Sequence, residues 1–149
     1  QANGVAVVAG EQQVQGDAAE IGRRLGVQAC KLSRHQAVIG GGETTVNVGS
    51  AEGLGGRCQE MALAAAIEIA GDDTVVVCAL GTDGRDGPTP AAGAWCCGST
   101  IDRAARKVID AQTMLGRHDS HSFFREAGGL LETGPTGTNV NDVWCAFRL

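Results

Sequence analysis

The chain has 149 residues, of which 43% are hydrophobic and only 3% aromatic, and a formal net charge of −5. That length suits one domain with a real core. The acidic balance and scarce aromatics exclude a nucleic-acid surface, which needs a basic patch and stacking platforms, and no apolar run approaches the roughly 20 residues of a membrane span. The N-terminus lacks the charged and apolar regions of a signal peptide. The six cysteines form no C-x-x-C pair. They read as reduced thiols acting as small hydrophobes, in a cytoplasmic setting.

Val5-Ala6-Val7-Val8 is the first predicted strand. Asp17 to Leu25 predicts a helix, with a stripe of Ala18, Ile21 and Leu25, acids at its start and Gly26 to close it. Ala37 to Ile39 is a second strand, and Thr44 to Val48 continues the sheet after a break at Gly40-Gly41-Gly42. Arg57 to Ala70 is a helix apolar on most sides, so it is buried, and its alanines permit close approach to a sheet. Thr74 to Leu80 is a β-branched run, expected to be a central strand covered on both faces. Ser99 opens another helix, with Asp102 completing a capping box. Asp119 or Ser120 caps a short helix through Phe123 and Phe124, and Leu130-Leu131 and Val143 to Phe147 are the last strands. Strands interleaved with helices mean an α/β layered sandwich, with a mixed, mostly parallel sheet flanked by helices.

Much of the glycine, 23 residues in all, lies in three polar loops. Gly49 to Arg57 runs straight into the alanine-rich helix, whose first N–H groups and dipole favour an anion. Arg57 opposes that dipole, which makes sense if it grips a carboxylate or phosphate; pairing with Glu60 or another surface acid is the plain alternative. Gly81 to Thr89 follows the central strand, where ligands gather in α/β sheets. Asp83 and Asp86 there could hold Mg²⁺, orient hydroxyls or cap their own turn. In Thr133 to Asp142, Thr136, Thr138 and Asn139 could donate to phosphate or sugar oxygens, or only make a tight turn. His118 and His121 lack the partners a zinc site needs, so helix capping accounts for them better. Neither lysine, Lys31 nor Lys107, lies in a glycine loop, and no P-loop is present.

Several blocks resemble the MOFRL domain of the glycerate 2-kinase family, sometimes labelled hydroxypyruvate reductase. They are Gly41 to Val46, Gly55-Gly56-Arg57 with Gln59-Glu60, Gly81 to Gly84 through Asp86 to Thr89 and Ala91-Ala92-Gly93, Asp119-Ser120, and Thr133 to Asp142. They cover nearly the whole chain in order. The resemblance implies a single domain over residues 1–149, with the family's larger N-terminal α/β domain and its catalytic lysine lying elsewhere. It implies one wall of a site for ATP- and Mg²⁺-dependent phosphorylation of D-glycerate, inactive alone. Arg57 would be the catalytic anion clamp, and Glu43, Thr44, Gly55, Gly56, Thr82, Asp83, Asp86, Thr136, Thr138 and Asn139 would contact substrate or nucleotide. Cys58 stands where the family usually has Asn, Pro90 where it has Asp, and His118 where it commonly has Asn. The competing expectation is a free-standing, non-enzymatic module that binds a small anion or associates with itself. Exposed glycine loops predict a homo-oligomer in either case.

Overall fold

The computed structural model describes residues 4–47, 49 and 53–149. Eleven elements follow in order: β1 (Ala6–Asp17), α1 (Ala18–Cys30), β2 (Gln36–Thr45), α2 (Arg57–Glu68), β3 (Val75–Gly81), β4 (Gly93–Cys97), α3 (Thr100–Ala105), α4 (Ala111–Gly116), α5 (Ser120–Ala127), β5 (Leu130–Leu131) and β6 (Asp142–Arg148). One six-stranded sheet has the order β1-β2-β6-β3-β4-β5. The chain is α/β with a mixed sheet, as expected, but not a mostly parallel one. Only β1 and β2 run parallel; β6 enters between β2 and β3 antiparallel to both, and β3–β4 and β4–β5 are antiparallel too. A helical crossover, α1, joins only the parallel pair. No helix among the described residues is long and apolar enough to cross a membrane.

Alternation along the strands shows which face is covered. Val75, Val77 and Ala79 of β3 and Trp144 and Ala146 of β6 are buried under the helices. Val76, Cys78, Leu80, Val143, Cys145 and Phe147 are only partly buried on the opposite face. In register with them lie Ile39 and Trp95, 46% and 37% exposed. The β3 strand is therefore interior to the sheet but covered on one face. Its unbroken apolar run reflects an open face that is itself apolar, not burial on both sides.

Helix α2 is the centre of the helical layer, and every residue from Cys58 to Ala66 is buried. Helix α1 runs past Gly26, contrary to the expected stop, because glycine serves packing there. A Cβ at Gly22 would strike the Met61 backbone and one at Gly26 would strike Glu68 and Ala65. Asp17 does cap α1, its Oδ1 accepting from Glu20 N at 2.9 Å. The β2 strand runs without a break through Gly40, where a Cβ would strike the Trp144 indole; Val46 and Asn47 lie beyond its end, and Val48 is outside the described residues. The capping box at Ser99 does not form: its Oγ accepts from Arg103 instead. Strand β4 and helix α4 carry no clear periodic signal, being short and rich in small residues.

Candidate active site

Helix α2 begins at Arg57 after Gly56, a residue with no side chain to cap it. The carboxylate of Asp86 takes the place of a cap. Its Oδ1 accepts from Cys58 N at 3.0 Å, and its Oδ2 accepts from Gln59 N at 2.8 Å and Gln59 Nε2 at 2.9 Å. Thr89 completes the arrangement, accepting from Gln59 Nε2 and donating to Asp86 O at 2.8 Å. The helix N-terminus thus holds an anion, as its dipole favours, but that anion belongs to the chain. Burial raises the Asp86 carboxyl above the ordinary aspartate value, against the pull of these donors. Gly56 is needed because a Cβ there would collide with Asp86.

Arg57 follows the same logic. Its Nε lies 2.7 Å from Asp142 Oδ2, and a terminal nitrogen donates to Asp142 Oδ1 at 3.3 Å, a two-pronged grip on one carboxylate. The other terminal nitrogen reaches Glu43 at 3.2 Å. Of the plain alternatives, Glu60 is not its partner, but a surface acid, Glu43, is. Desolvation pulls the guanidinium down, but Asp142 and its other neighbours together outweigh it and the net shift is upward. Asp142 is 2% exposed, and burial raises its carboxyl despite Arg57.

The opposite wall comes from the α4–α5 turn. Leu54 N donates to Asp119 Oδ1 at 3.1 Å and Leu54 O accepts from His121 N at 2.9 Å, stitching the first glycine loop to this turn. Asp119 stands at the N-cap position of α5 but makes no side-chain cap. The two histidines do not cap helices either. His121 Nδ1 bonds Gln59 Oε1 at 3.0 Å, and His118 Nδ1 bonds Glu60 Oε2 at 2.8 Å. His118 is in the left-handed region, φ 55°, which Asn and His tolerate better than most residues. Glu60 is 3% exposed; burial raises its carboxyl and the His118 contact opposes that.

Between these walls lies a pocket of about 650 Å³. Of the expected site residues it gathers Thr44, Gly55, Gly56, Arg57, Asp83 and Asp86. Thr44 Oγ1 is buried and has no hydrogen-bond partner among the described residues. Glu43 touches the site only through Arg57. Thr82, Thr136, Thr138 and Asn139 do not line it. Thr136 instead donates to Thr82 O, Thr82 donates to Asn141 O at 2.7 Å, and Asn139 Oδ1 accepts from Asn141 N at 3.0 Å. A second cavity of about 500 Å³ separates this loop from Arg85 and Gly87 to Pro90. The expected Mg²⁺ pair does not fit. Asp86 spends both oxygens on α2, and Asp83 Oδ1 accepts from Arg85 N at 2.9 Å. No cluster of three or more metal-type side chains occurs among the described residues.

The MOFRL family matches residues 36–142. The chain belongs to this family. Over 112 residues it is 48% identical to D-glycerate 2-kinase of Thermotoga maritima, covering 75% of this chain and 27% of that protein. It is 45% identical to the glycerate kinase of Bos taurus over 117 residues, 74% of this chain and 22% of that one. The crystal structure of glycerate kinase from Thermotoga maritima superposes with a TM-score of 0.95 at 38% identity, over 99% of this chain and 37% of that chain. The chain therefore spans about a quarter of the length of the curated relatives it matches.

Within this MOFRL domain the three departures fall in different places. Cys58 sits at the α2 corner, its buried thiol pushed well up by desolvation. Pro90 lines the second cavity and His118 the main pocket. Sequence reasoning missed Gln59, Glu60, Arg85 and Asp142 as parts of the site. The available signal was Gln59-Glu60 itself, two polar residues inside a helix otherwise apolar on nearly every side.

Proposed function

We propose that this domain forms one wall of a glycerate 2-kinase active site, facing D-glycerate and ATP across the 650 Å³ pocket. The observation that carries the reading is the convergence of Arg57, Glu60, Asp83, Arg85 and His118 on that pocket in a fold nearly superposable on a glycerate kinase. Phosphoryl transfer is mostly positioning and charge stabilisation, so a polar wall is a real contribution. Asp86 belongs to the scaffold. Arg57 is partly neutralised by Asp142 and Glu43, so a complete anion site takes further positive charge from outside this domain. The domain alone is accordingly inactive. The Asp83–Asp86 pair does not suit Mg²⁺, its oxygens being spent on α2 and on the loop's own turn.

Joined to the remainder of a glycerate kinase, the wild-type domain gives turnover, and Arg57→Ala lowers kcat by about 10²-fold. Full activity in a folded Arg57→Ala protein overturns the assignment, and turnover by the isolated chain overturns its dependence on a partner domain. The neutralised Arg57 is also what favours the second reading, a module without catalysis. Self-association has a suitable surface in the apolar sheet face around Ile39, Cys78, Cys145 and Trp95; a monomer by light scattering at high concentration overturns it.

A further inference from the structure

The pair His118–Glu60 is a titratable cluster on the pocket wall that serves neither a helix cap nor a loop tie. Its imidazole lines the cavity, and its Nδ1 is committed to a carboxylate 2.8 Å away. Glu60 is fixed on a buried helix, so the contact holds the ring's orientation. With Nδ1–H donating to the carboxylate, the nitrogen left to meet a ligand is Nε2, as an acceptor. The charged groups around it are Glu60 and Arg57 from α2, Asp83, Asp86 and Arg85 from the loop after β3, Asp17 ahead of α1, and Arg117 and Asp119 beside it. An asparagine at this position offers a ligand an amide but has no group that can take a proton.

We infer that His118, oriented by Glu60, accepts the hydrogen of a substrate hydroxyl in this pocket and takes its proton as that oxygen is phosphorylated. The inference rests on the kinase reading above. In the step, the substrate O–H bond breaks and its proton passes to Nε2. The oxygen's electron pair forms the new O–P bond, and the bond between the γ-phosphorus and the leaving oxygen breaks with its pair remaining on ADP. The imidazolium that results is stabilised by the Glu60 carboxylate. Positioned bases of this kind contribute about 10²- to 10⁴-fold.

The test uses this chain, ¹⁵N-labelled and joined to the unlabelled remainder of a glycerate kinase, with D-glycerate at about pH 8, above the ordinary imidazole range. Long-range imidazole spectra should show His118 as the Nδ1–H tautomer. Glycerate should shift His118 Nε2 together with the backbone amides of Gly55, Gly56 and Gly87. In Glu60→Gln the tautomer should become mixed and the Nε2 response should shrink. His118→Asn should keep the amide shifts while weakening glycerate by about 10-fold or less, the scale of one hydrogen bond. If the glycine amides shift and the His118 ring does not, the pocket stands and the inference falls. If Nε2 responds equally in Glu60→Gln, the orienting role of Glu60 falls. If glycerate moves no pocket resonance in the joined protein, the kinase reading fails for this chain and takes the inference with it. His118→Gln serves in place of His118→Asn, and Glu60→Asp in place of Glu60→Gln, if that variant does not give a folded amide spectrum.

Discussion

The loops Gly81–Thr89 and Thr133–Asn141 share glycine, threonine and a proline, though the first carries Asp83, Arg85 and Asp86 and the second no charged residue. Their fates differ completely. The first sends Asp86 and Thr89 inward, 3% and 5% exposed, to close the N-terminus of the most buried helix. The second is exposed along its whole length and is held mainly through Thr82 and Asp83. Composition marks both as turns able to bind oxygen-rich ligands. What separates them is whether unpaired helix N–H groups lie within reach, which depends on β3 delivering its loop to the start of α2.

The sharpest way to break this contrast is to remove the internal anion. Asp86→Ala strands two backbone N–H groups and the Gln59 amide in a buried corner. Its expected cost is about 3 kcal/mol, the scale of losing a charged acceptor for several buried donors, read as a lower urea midpoint. A loss below about 1 kcal/mol would show that water replaces the carboxylate freely. Next in size is a matched glycine pair. Gly56→Ala drives a Cβ into Asp86 and should cost about 2 kcal/mol. Gly134→Ala meets nothing but has a φ of +67°, so only backbone strain of about 1 kcal/mol opposes it. Equal losses would erase the distinction between the loops.

Thr82→Val attacks the exposed loop at its anchor. Thr82 Oγ1 donates to Asn141 O and accepts from Val140 N at 2.8 Å. Losing both should cost about 1 kcal/mol and make the Val140 amide exchange faster, while the amides of Cys58 and Gln59 keep their protection. Loss of protection at α2 as well would mean that the two loops open as one unit.

Much of the architecture is legible in the sequence because helix and strand periodicity is local. The α2 helix, the β3 strand and the glycine loops all announce themselves. The order of strands is less legible: β6 inserts between β2 and β3, and no local signal states that Asp142 will face Arg57 across 85 positions. The site suffers from the same gap. Glycine before a helix reads as a cradle for a ligand, yet Gly53 and Gly55 are small so that the loop can lie against Arg117, His118 and Ser120. Arg57 was found because its charge opposes the dipole; its partners were not, because carboxylates look alike until the sheet assembles.

The smallest effect expected is on the pH dependence of stability, and it again separates the loops. The segment Thr133–Asn141 has no titratable side chain, so of the two regions only the buried corner responds. Burial raises Asp86, Asp142 and Glu60 above their ordinary values, 3.8 for aspartate and 4.5 for glutamate. A carboxyl group that ionises less readily in the folded chain makes the native state hold its proton more tightly. Its contribution is full below the unfolded-state value and is lost as pH rises through the folded-state value. Stability should therefore climb as pH falls from neutrality toward the carboxylate range. Asp72 works the other way: its hydrogen bonds with Thr74 and its contact with Arg148 hold it below 3.8, so its contribution is lost only in stronger acid. The expected result is a Tm that rises by no more than about 3 °C between pH 7.5 and pH 5. Asp86→Asn should flatten that rise, because the group with the tightest set of buried donors no longer titrates. A Tm that falls steadily over the same range, with the same slope in Asp86→Asn, would mean that the corner carboxyls ionise as freely in the fold as in the open chain.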